Sequence, residues 1–256
     1  MLNIRPEQME ILEQGTRRRF EDEMVLHARE FSPRLAAVIG DDQLRIAVRQ
    51  AIERARGFGF ANRGPIRLYV ELAFLRGSDF DTDPQYPELG RILREEGDQM
   101  WRAERMFDAV SGYMDKVSGP DGVNIRRALE AVAAFARSPA VFSAAGFVPE
   151  MLREMARAFP QKAAHIGEPA LATLIEEGRA AARQYGFNAT RAEALIVVLM
   201  FAFGHGCVAD PLYPWISHTL SDERIVDAAA RAERLERKAL TWLDHVLAQP
   251  PGADRV

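Results

Sequence analysis

The stretch Asp83–Pro87 reads DPQYP, and the stretch Asp210–Pro214, which lies 127 residues further along the chain, reads DPLYP. Extending this match outward aligns Phe20–Glu96 with Phe147–Glu223 without a gap, and 24 of the 77 aligned pairs are identical. We call these two segments the first repeat and the second repeat. Because glycine and proline determine where a backbone turns, the glycines and prolines that the repeats share predict one structural module that occurs twice.

The chain of 256 residues is long enough for two domains of ordinary size. Ser118–Gly122 (SGPDG) is its densest cluster of turn-forming residues, and we place the boundary between the modules near residue 120. The sequence thus predicts a first module over residues 1–120 and a second module over residues 121–248. The polar tail 249–256 is rich in proline and glycine and is expected to be disordered.

Helical periodicity dominates the chain. Apolar residues recur at helical spacing, and no segment shows the sustained alternation of a half-buried strand. The fold class is therefore predicted to be all-α, with two modules that pack together through their long helices. In the first module, a helix that follows Gly40 is expected to turn one row of apolar residues inward. These residues are Leu44, Val48, Ala51, Ile52 and Ala55.

Composition limits the function classes. Hydrophobic residues make up 48% of the chain and charged residues 27%, which is typical of a globular protein with a full core. The net charge of −4 lacks the basic excess of a nucleic-acid-binding protein. The single cysteine, Cys207, indicates a reducing compartment. No secretory signal or run of roughly 20 apolar residues is present, so we expect a cytoplasmic protein without a membrane span.

Three carboxylates alternate at Asp79, Asp81 and Asp83, as they do at the start of a calcium-binding loop. Such a loop needs glycine at its sixth position and glutamate at its twelfth, where this chain has Pro84 and Gly90. Only Asp83 is shared by both repeats, so we expect the shared aspartates to cap turns beside the shared prolines, and we expect no cofactor. The residues expected to build these turns are Asp83, Pro84, Pro87, Asp210, Pro211 and Pro214.

The second repeat carries other reactive side chains in the same region, namely His205, Cys207, Asp210 and His218. Thiolate, imidazole and carboxylate are zinc ligands, and a cysteine with a histidine is also a nucleophile with its base. The spacing does not match the paired ligands of a structural zinc site, and Cys207 aligns with Phe80, which favours a small buried apolar role. We therefore predict a protein that is not an enzyme. A metal- or thiol-dependent enzyme centred on these four residues remains the alternative.

The aligned repeats differ around their shared turns. Trp215 of the second repeat aligns with Glu88 of the first, and Phe203 aligns with Arg76. Different side chains at the same place on a common scaffold indicate different contacts, and tyrosine and tryptophan are enriched in binding hot spots. The pattern favours a protein-binding role over a catalytic one. The residues expected to contact a partner are Asp79, Asp81, Tyr86, Tyr213 and Trp215.

Five segments carry a resemblance to known proteins: Arg5–Met9, Phe20–Met24, Gly57–Phe60, Gly77–Pro84 and Asp210–Trp215. On these segments the chain resembles a group of bacterial helical proteins whose genes lie beside the spike and PAAR-type effector genes of type VI secretion systems. The resemblance implies a cytoplasmic accessory protein that acts on a secreted effector as a chaperone or adaptor. An immunity protein that neutralises a cognate toxin is the alternative that the resemblance leaves open. It supplies no functional residues.

Overall fold

The computed structural model describes residues 6–137 and 142–248, with side chains from residue 14 onwards. The described residues form twelve α-helices and no strand, so the predicted all-α class is confirmed. The helices are α1 (Pro6–Phe31), α2 (Pro33–Gly57), α3 (Arg63–Arg76), α4 (Pro87–Arg94), α5 (Gln99–Tyr113), α6 (Val123–Arg137), α7 (Phe147–Ala158), α8 (Pro160–Ile166), α9 (Glu168–Gln184), α10 (Thr190–Phe203), α11 (Pro214–Leu220) and α12 (Ala228–Leu247).

Helices α1, α2 and α3 pack around the first hydrophobic core. Helix α2 bends at Gly40, whose φ of +79° and ψ of 167° lie in a region that is open to glycine. The helical stretch beyond the bend buries the predicted apolar row, which comprises Leu44, Val48, Ala51, Ile52 and Ala55. Helix α3 contributes Tyr69 and Phe74 to the same core and ends at Arg76.

Helices α7, α9 and α10 form the second hydrophobic core, and α11 and α12 close it. Where α9 packs against α10, Leu174 and Ile175 of one helix and Ile196 and Val197 of the other have no exposed surface. The burial of four large aliphatic side chains in one contact contributes several kcal/mol, at about 2 kcal/mol per side chain. Each repeat thus builds a core largely from its own residues.

The two repeats differ in the helix that begins them. Helix α1 is continuous over 26 residues and packs against α2 and α3. In the second half, α6 and α7 are separate helices, and α6 packs against α12. Helix α5, which occupies the corresponding place in the first half, packs against α3 and α4 instead. One side of α12 is therefore covered by α6.

The halves meet at the paired turns, which we define as residues 77–87 and 204–214. Pro87 and Pro214 each stand at the first position of the helix that follows their turn, α4 and α11. Leu212 of the second turn is buried in the first core, while Phe159 and Tyr213 contact both cores. The paired turns therefore join the two cores.

A π-helical turn, Met114–Ser118, and a 3₁₀ turn, Pro120–Gly122, connect α5 to α6. The boundary that the sequence predicts near residue 120 falls in this connection, and the division into two modules stays a prediction. The predicted disordered tail, 249–256, lies outside the described residues. None of the helices in the described part of the chain combines the length and apolar character that crossing a membrane requires.

Candidate functional site

The paired turns are hydrogen-bonded to each other in both directions. The backbone N–H of Ser78 donates to Asp210 Oδ2 over 2.8 Å, and the Ser78 hydroxyl donates to Asp210 Oδ1 over 2.6 Å. In return, the backbone N–H of His205 donates to Asp83 Oδ2 over 2.8 Å. Ser78 aligns with His205, and Asp83 aligns with Asp210. Each turn therefore binds the other through aligned residues, and we call this arrangement the reciprocal clasp.

The two aspartates of the reciprocal clasp also bind their own turns. The N–H of Gln85 donates to Asp83 Oδ1 over 2.8 Å, and the N–H of Leu212 donates to Asp210 Oδ1 over 2.9 Å. Each donor lies two residues beyond its aspartate, as in an Asx turn. Burial raises the pKa of both carboxyl groups, against the lowering effect of these hydrogen bonds. Each aspartate thereby joins its own turn to the opposite one.

Glycine is required on both sides of the clasp. Gly77 has a φ of +95° and Gly204 a φ of +98°, and L side chains rarely adopt such angles. A Cβ on Gly77 would lie 2.6 Å from the carbonyl oxygen of Phe203, and a Cβ on Gly204 would lie 2.7 Å from that of Arg76. The two backbones therefore approach too closely for any side chain at either position.

Asp79 and Asp81 of the first turn share one cationic partner within the chain. Both Asp79 and Asp81 form ion pairs with Arg54 of α2. Burial alone would lower the pKa of Arg54, but its hydrogen bond to Asp81 and the charges of both aspartates raise it. Asp81 is only 3% exposed, so the expectation that it faces a partner does not match its position. Asp79 keeps about a third of its side chain exposed, and partner contact there stays a prediction.

The aromatic residues in and beside the paired turns pack against other aromatic rings of their own half. Tyr86 is buried rather than surface-exposed, and its ring centroid lies 5.6 Å from that of Tyr113. Tyr213 and Trp215 are partly buried, with ring centroids 4.5 Å and 6.2 Å from that of Phe203. Of the three aromatic residues expected at a partner surface, Tyr86 is therefore enclosed by the protein. A partner contact of Trp215 and Tyr213 stays a prediction.

The side chains of the metal or thiol alternative have separate surroundings in the structure. His205 bonds to Thr82 over 3.1 Å and to Glu177 over 3.1 Å. Cys207 has no exposed surface, and burial raises the pKa of its thiol, with further contributions from nearby carboxylates. His218 is exposed on α11. Within residues 14–137 and 142–248, no three His, Cys, Asp or Glu side chains are arranged to hold a metal ion.

A cavity of about 200 Å³ lies where the two repeats meet. Two cations line it, Arg76 from α3 and Lys162 from α8. The Arg76 guanidinium carbon lies 4.2 Å from the ring centroid of Tyr113 and 5.6 Å from that of Tyr86. Tyr213 also lines this cavity. We call this space the cation cavity.

Of these two cations, the differences between the aligned repeats indicated Arg76 but not Lys162. The available signal is again the alignment, because Lys162 aligns with Leu35, which packs against the first core. The alignment shows a lysine in the second repeat where the first repeat has a core leucine. The amino-acid composition does not show this difference. That Arg76 and Lys162 line one cavity could not be read from the sequence, because they lie 86 residues apart (162 − 76).

Helix α5 exposes three large apolar side chains. Met100 is 52% exposed, Trp101 46% and Phe107 60%. Met100 and Phe107 lie two helical turns apart on the same side of the helix, and Trp101 lies on its flank. We call these three residues the α5 face. Their exposure was not predicted from the sequence, because apolar residues at helical spacing are typical of a buried helix face.

Comparison of the chain with protein-family models, with curated proteins and with solved structures gives no match.

Proposed function

We propose that the protein is a non-catalytic protein-binding factor and that its partner binds at the α5 face. The observation that carries this proposal is the exposure of Met100, Trp101 and Phe107 on one helix. Exposed apolar residues that cluster on one element are typical of protein interaction sites, whereas scattered ones are ordinary. The large aromatic side chains are also the types that contribute most to binding free energy.

Comparison with α12 supports a functional role for the α5 face. Both helices begin with an aspartate whose carboxylate accepts two backbone N–H groups, Asp98 for α5 and Asp227 for α12. Counted from these caps, the three positions of the α5 face correspond in α12 to Ala229, Ala230 and Glu236. The scaffold therefore does not require large apolar side chains at these positions.

Helix α6 suggests how a partner would occupy the α5 face. In the second half, α6 packs against α12, and it contributes Leu129 and Val132 to an apolar groove between α6, α10 and α12. We propose that an apolar helix of the partner lies on α5 as α6 lies on α12. Glu104 and Asp108, both exposed, lie on the same side of α5 as Met100 and Phe107. The partner helix is therefore expected to carry basic residues beside its apolar ones.

The internal duplication belongs to the same proposal. We infer that the two repeats are copies of one helical module of about 127 residues, and the clasp through aligned residues supports this. In this proposal, divergence after duplication left the second half covered by its own helix and the first half open to a partner. Superposition of Phe20–Glu96 on Phe147–Glu223 tests it, and a failure of most Cα atoms to superpose would contradict it.

The partner class follows from the resemblance to proteins encoded beside type VI secretion genes. We propose a secreted effector or a spike component as the partner, with a chaperone or adaptor role for this chain. An immunity role uses the same surface, and the two differ in the phenotype of a deletion. Loss of a chaperone abolishes effector stability or export, whereas loss of an immunity protein makes the cell sensitive to its siblings.

The experiment compares two variants in binding to the effector encoded beside the gene. The triple variant Met100→Ala, Trp101→Ala, Phe107→Glu places the residues of α12 on α5. It is expected to weaken binding by at least about tenfold, or 1.4 kcal/mol, in isothermal titration calorimetry, with little change in melting temperature. Leu26→Ala, at an apolar residue that is 56% exposed on α1, is the control and should bind normally.

The same titration separates the α5 face from the surface that the sequence predicted. Trp215→Ala is expected to bind within about threefold of the wild type if the α5 face is the docking site. If Trp215→Ala loses binding and the triple variant binds normally, the partner docks beside the paired turns and not at the α5 face. No binding of the wild type to the effector or the spike protein would contradict the proposed function.

A further inference from the structure

We propose that the cation cavity is a binding site for a small organic anion, one with a carboxylate or phosphate group and a flat apolar body. Arg76 and Lys162 would hold the anionic group, and the surrounding tyrosine rings would contact the body. This site is separate from the α5 face, and it does not depend on the function proposed above.

Arg76 has hydrogen-bonding capacity that the protein leaves free. Its guanidinium lies against the rings of Tyr113 and Tyr86, and it donates a hydrogen bond over 2.9 Å to the sulfur of Met114. A hydrogen bond from Arg76 also acts on the Tyr86 hydroxyl. It forms no ion pair with any carboxylate in the part of the chain that the structure describes. A guanidinium carries five N–H donors in a planar fork that fits carboxylate and phosphate groups. Arg76 is therefore positioned to accept such a group.

Lys162 is the second cation. It is 5% exposed, its ammonium donates to the carbonyl oxygen of Phe201, and it lies 4.5 Å from the centroid of the Phe201 ring. No described carboxylate forms an ion pair with it. Asp83 is the nearby opposite charge, but its oxygens already accept hydrogen bonds from Gln85 and His205. Burial lowers the pKa of Lys162 to about 7, and the charge of Arg76 adds to this lowering.

The alignment shows that neither cation is needed to build the fold. Leu35 stands at the position of Lys162 in the first repeat, and Phe203 stands at the position of Arg76 in the second. Both of these apolar residues pack against a core. A buried cation without a carboxylate partner lowers the free energy of unfolding. Lys162 is such a cation, and the half-buried Arg76 is a second one without a carboxylate partner. Two unpaired cations in one cavity, where the scaffold accepts apolar residues, indicate a ligand that supplies the missing charge.

The shape of the site indicates the size of the ligand. A neighbouring cavity of about 240 Å³ shares Arg76, Tyr86 and Tyr113 with the cation cavity and extends to His165. Tyr113 and His165 face each other edge to face, with ring centroids 5.0 Å apart. Together the two spaces fit an anionic group beside Arg76 and one ring or short chain between the aromatic side chains.

The pH dependence of the site depends on Lys162 and on the titratable and charged groups that face it. They are Arg76 of α3, Asp83 and Tyr86 of the first turn, Tyr113 of α5 and Tyr213 of the second turn. His165 of α8 lines the neighbouring cavity with Arg76. Burial raises the pKa of each tyrosine, so these hydroxyls stay neutral. Burial lowers the pKa of His165. Because burial lowers the pKa of Lys162 to about 7, its charge changes near neutral pH, and an anion that binds beside it favours its protonated form.

The test is calorimetric titration of the whole protein with benzoate, phenyl phosphate and inorganic phosphate, with benzamide as the neutral control. Benzoate or phenyl phosphate is expected to bind more tightly than benzamide by at least about tenfold. Benzoate keeps its charge between about pH 6 and about pH 9, and its affinity is expected to fall over this range as Lys162 loses its proton. Failure of all three anions to bind at millimolar concentration would overturn the proposal.

Matched variants come from the other repeat. Arg76→Phe and Lys162→Leu introduce residues that the scaffold already accepts at the aligned positions, so both proteins are expected to fold. Each should weaken binding of benzoate or phenyl phosphate by about tenfold or more, and Lys162→Leu should remove the pH dependence. Arg56→Gln, at an exposed arginine of α2, is the charge control. Equal affinity in the wild type and both cavity variants would overturn the proposal.

Discussion

Two aromatic cages in this molecule are built alike and filled differently. In the first half, Arg76 lies between Tyr86 and Tyr113, with its guanidinium carbon 5.6 Å and 4.2 Å from the two ring centroids. In the second half, Phe203 lies between Tyr213 and Trp242, with centroid distances of 4.5 Å and 4.7 Å. Arg76 and Phe203 are aligned, as are the two tyrosines of the paired turns.

The difference shows which part of each cage is structural. The aromatic walls and the turn that holds them occur in both halves, whereas the central residue is a cation in one and an apolar ring in the other. An apolar centre completes a core, because a phenylalanine has no polar group to satisfy. A cationic centre leaves donors available for a ligand. We therefore infer that the shared aromatic walls and turns stabilise the fold, and that the central residue, which differs between the halves, decides whether a ligand can bind.

The largest expected effect concerns the frame that both cages share. Gly77→Ala would place a Cβ 2.6 Å from the carbonyl oxygen of Phe203 in addition to straining the backbone at a φ of +95°. We expect a loss of about 4 kcal/mol in the free energy of unfolding, measured by urea denaturation. Gly40→Ala is the control, because its φ of +79° gives similar strain while nothing lies within 4 Å of the added Cβ.

The glycine comparison separates collision from strain. Gly40→Ala is expected to cost about 1–3 kcal/mol, which is the range for an unfavourable backbone region alone. Gly204→Ala should resemble Gly77→Ala, because its Cβ would lie 2.7 Å from the carbonyl oxygen of Arg76. Equal losses in Gly40→Ala and Gly77→Ala would show that the close approach of the two backbones contributes nothing.

The second prediction exchanges the centres of the cages. Phe203→Arg would put a cation among Trp242, Tyr213 and the apolar groove beneath α6, and we expect a loss of about 3 kcal/mol in the free energy of unfolding. Arg76→Phe should change the same quantity by less than about 1 kcal/mol. Urea denaturation of both variants measures the asymmetry. Similar losses in the two variants would mean that both cages are equally specific for their present residue.

The third prediction concerns Lys162, whose replacement is expected to stabilise the protein, in contrast to the two predictions above. Lys162→Leu is expected to raise the free energy of unfolding by about 2 kcal/mol near pH 7, because it removes a buried cation that has no carboxylate partner. The lysine has a pKa of about 7 in the folded state and an ordinary value of 10.5. Between these values the unfolded state binds more protons, so the wild type gains stability as pH rises. The advantage of the variant should therefore shrink towards pH 10.5. An advantage that does not change with pH would contradict the lowered pKa.

The helices and turns of each half were largely predictable from the sequence, but the contacts between the two halves were not. The apolar row Leu44–Ala55 and the turns at the shared prolines follow from periodicity and from backbone restrictions, which act locally. The clasp joins Ser78 to Asp210, and nothing local encodes a contact between residues so far apart in the chain. A shared Asp-Pro pair indicated a turn but could not show that each aspartate also binds the opposite turn.

The candidate sites were predicted less well than the frame. The alignment identified divergent positions, and Arg76 is one of them, but divergence does not tell whether a side chain is exposed, buried or paired. Asp81 illustrates this, because it lies in the first of the paired turns and is buried in an ion pair with Arg54 of α2. The exposure of Phe107 likewise depends on which helix covers α5. Both features depend on tertiary packing, which a helical period does not specify.

The smallest expected effect tests whether the reciprocal clasp is symmetric. Burial raises the pKa of Asp83 and of Asp210, so the folded state takes up protons at a higher pH than the unfolded chain does. Between the ordinary and the raised pKa, stability therefore increases as pH falls, opposite to the behaviour of an ion-paired carboxylate. Asp83→Asn and Asp210→Asn remove this dependence and also lose one acceptor, which lowers stability at every pH. Relative to either variant, the wild type should gain about 1 kcal/mol per unit of pKa shift on acidification, measured by urea denaturation across that range.

A symmetric clasp gives equal gains for the two variants. A gain in one variant alone would show that the second aspartate is not held as the first is, and a difference from the wild type that is constant with pH would contradict the raised pKa values.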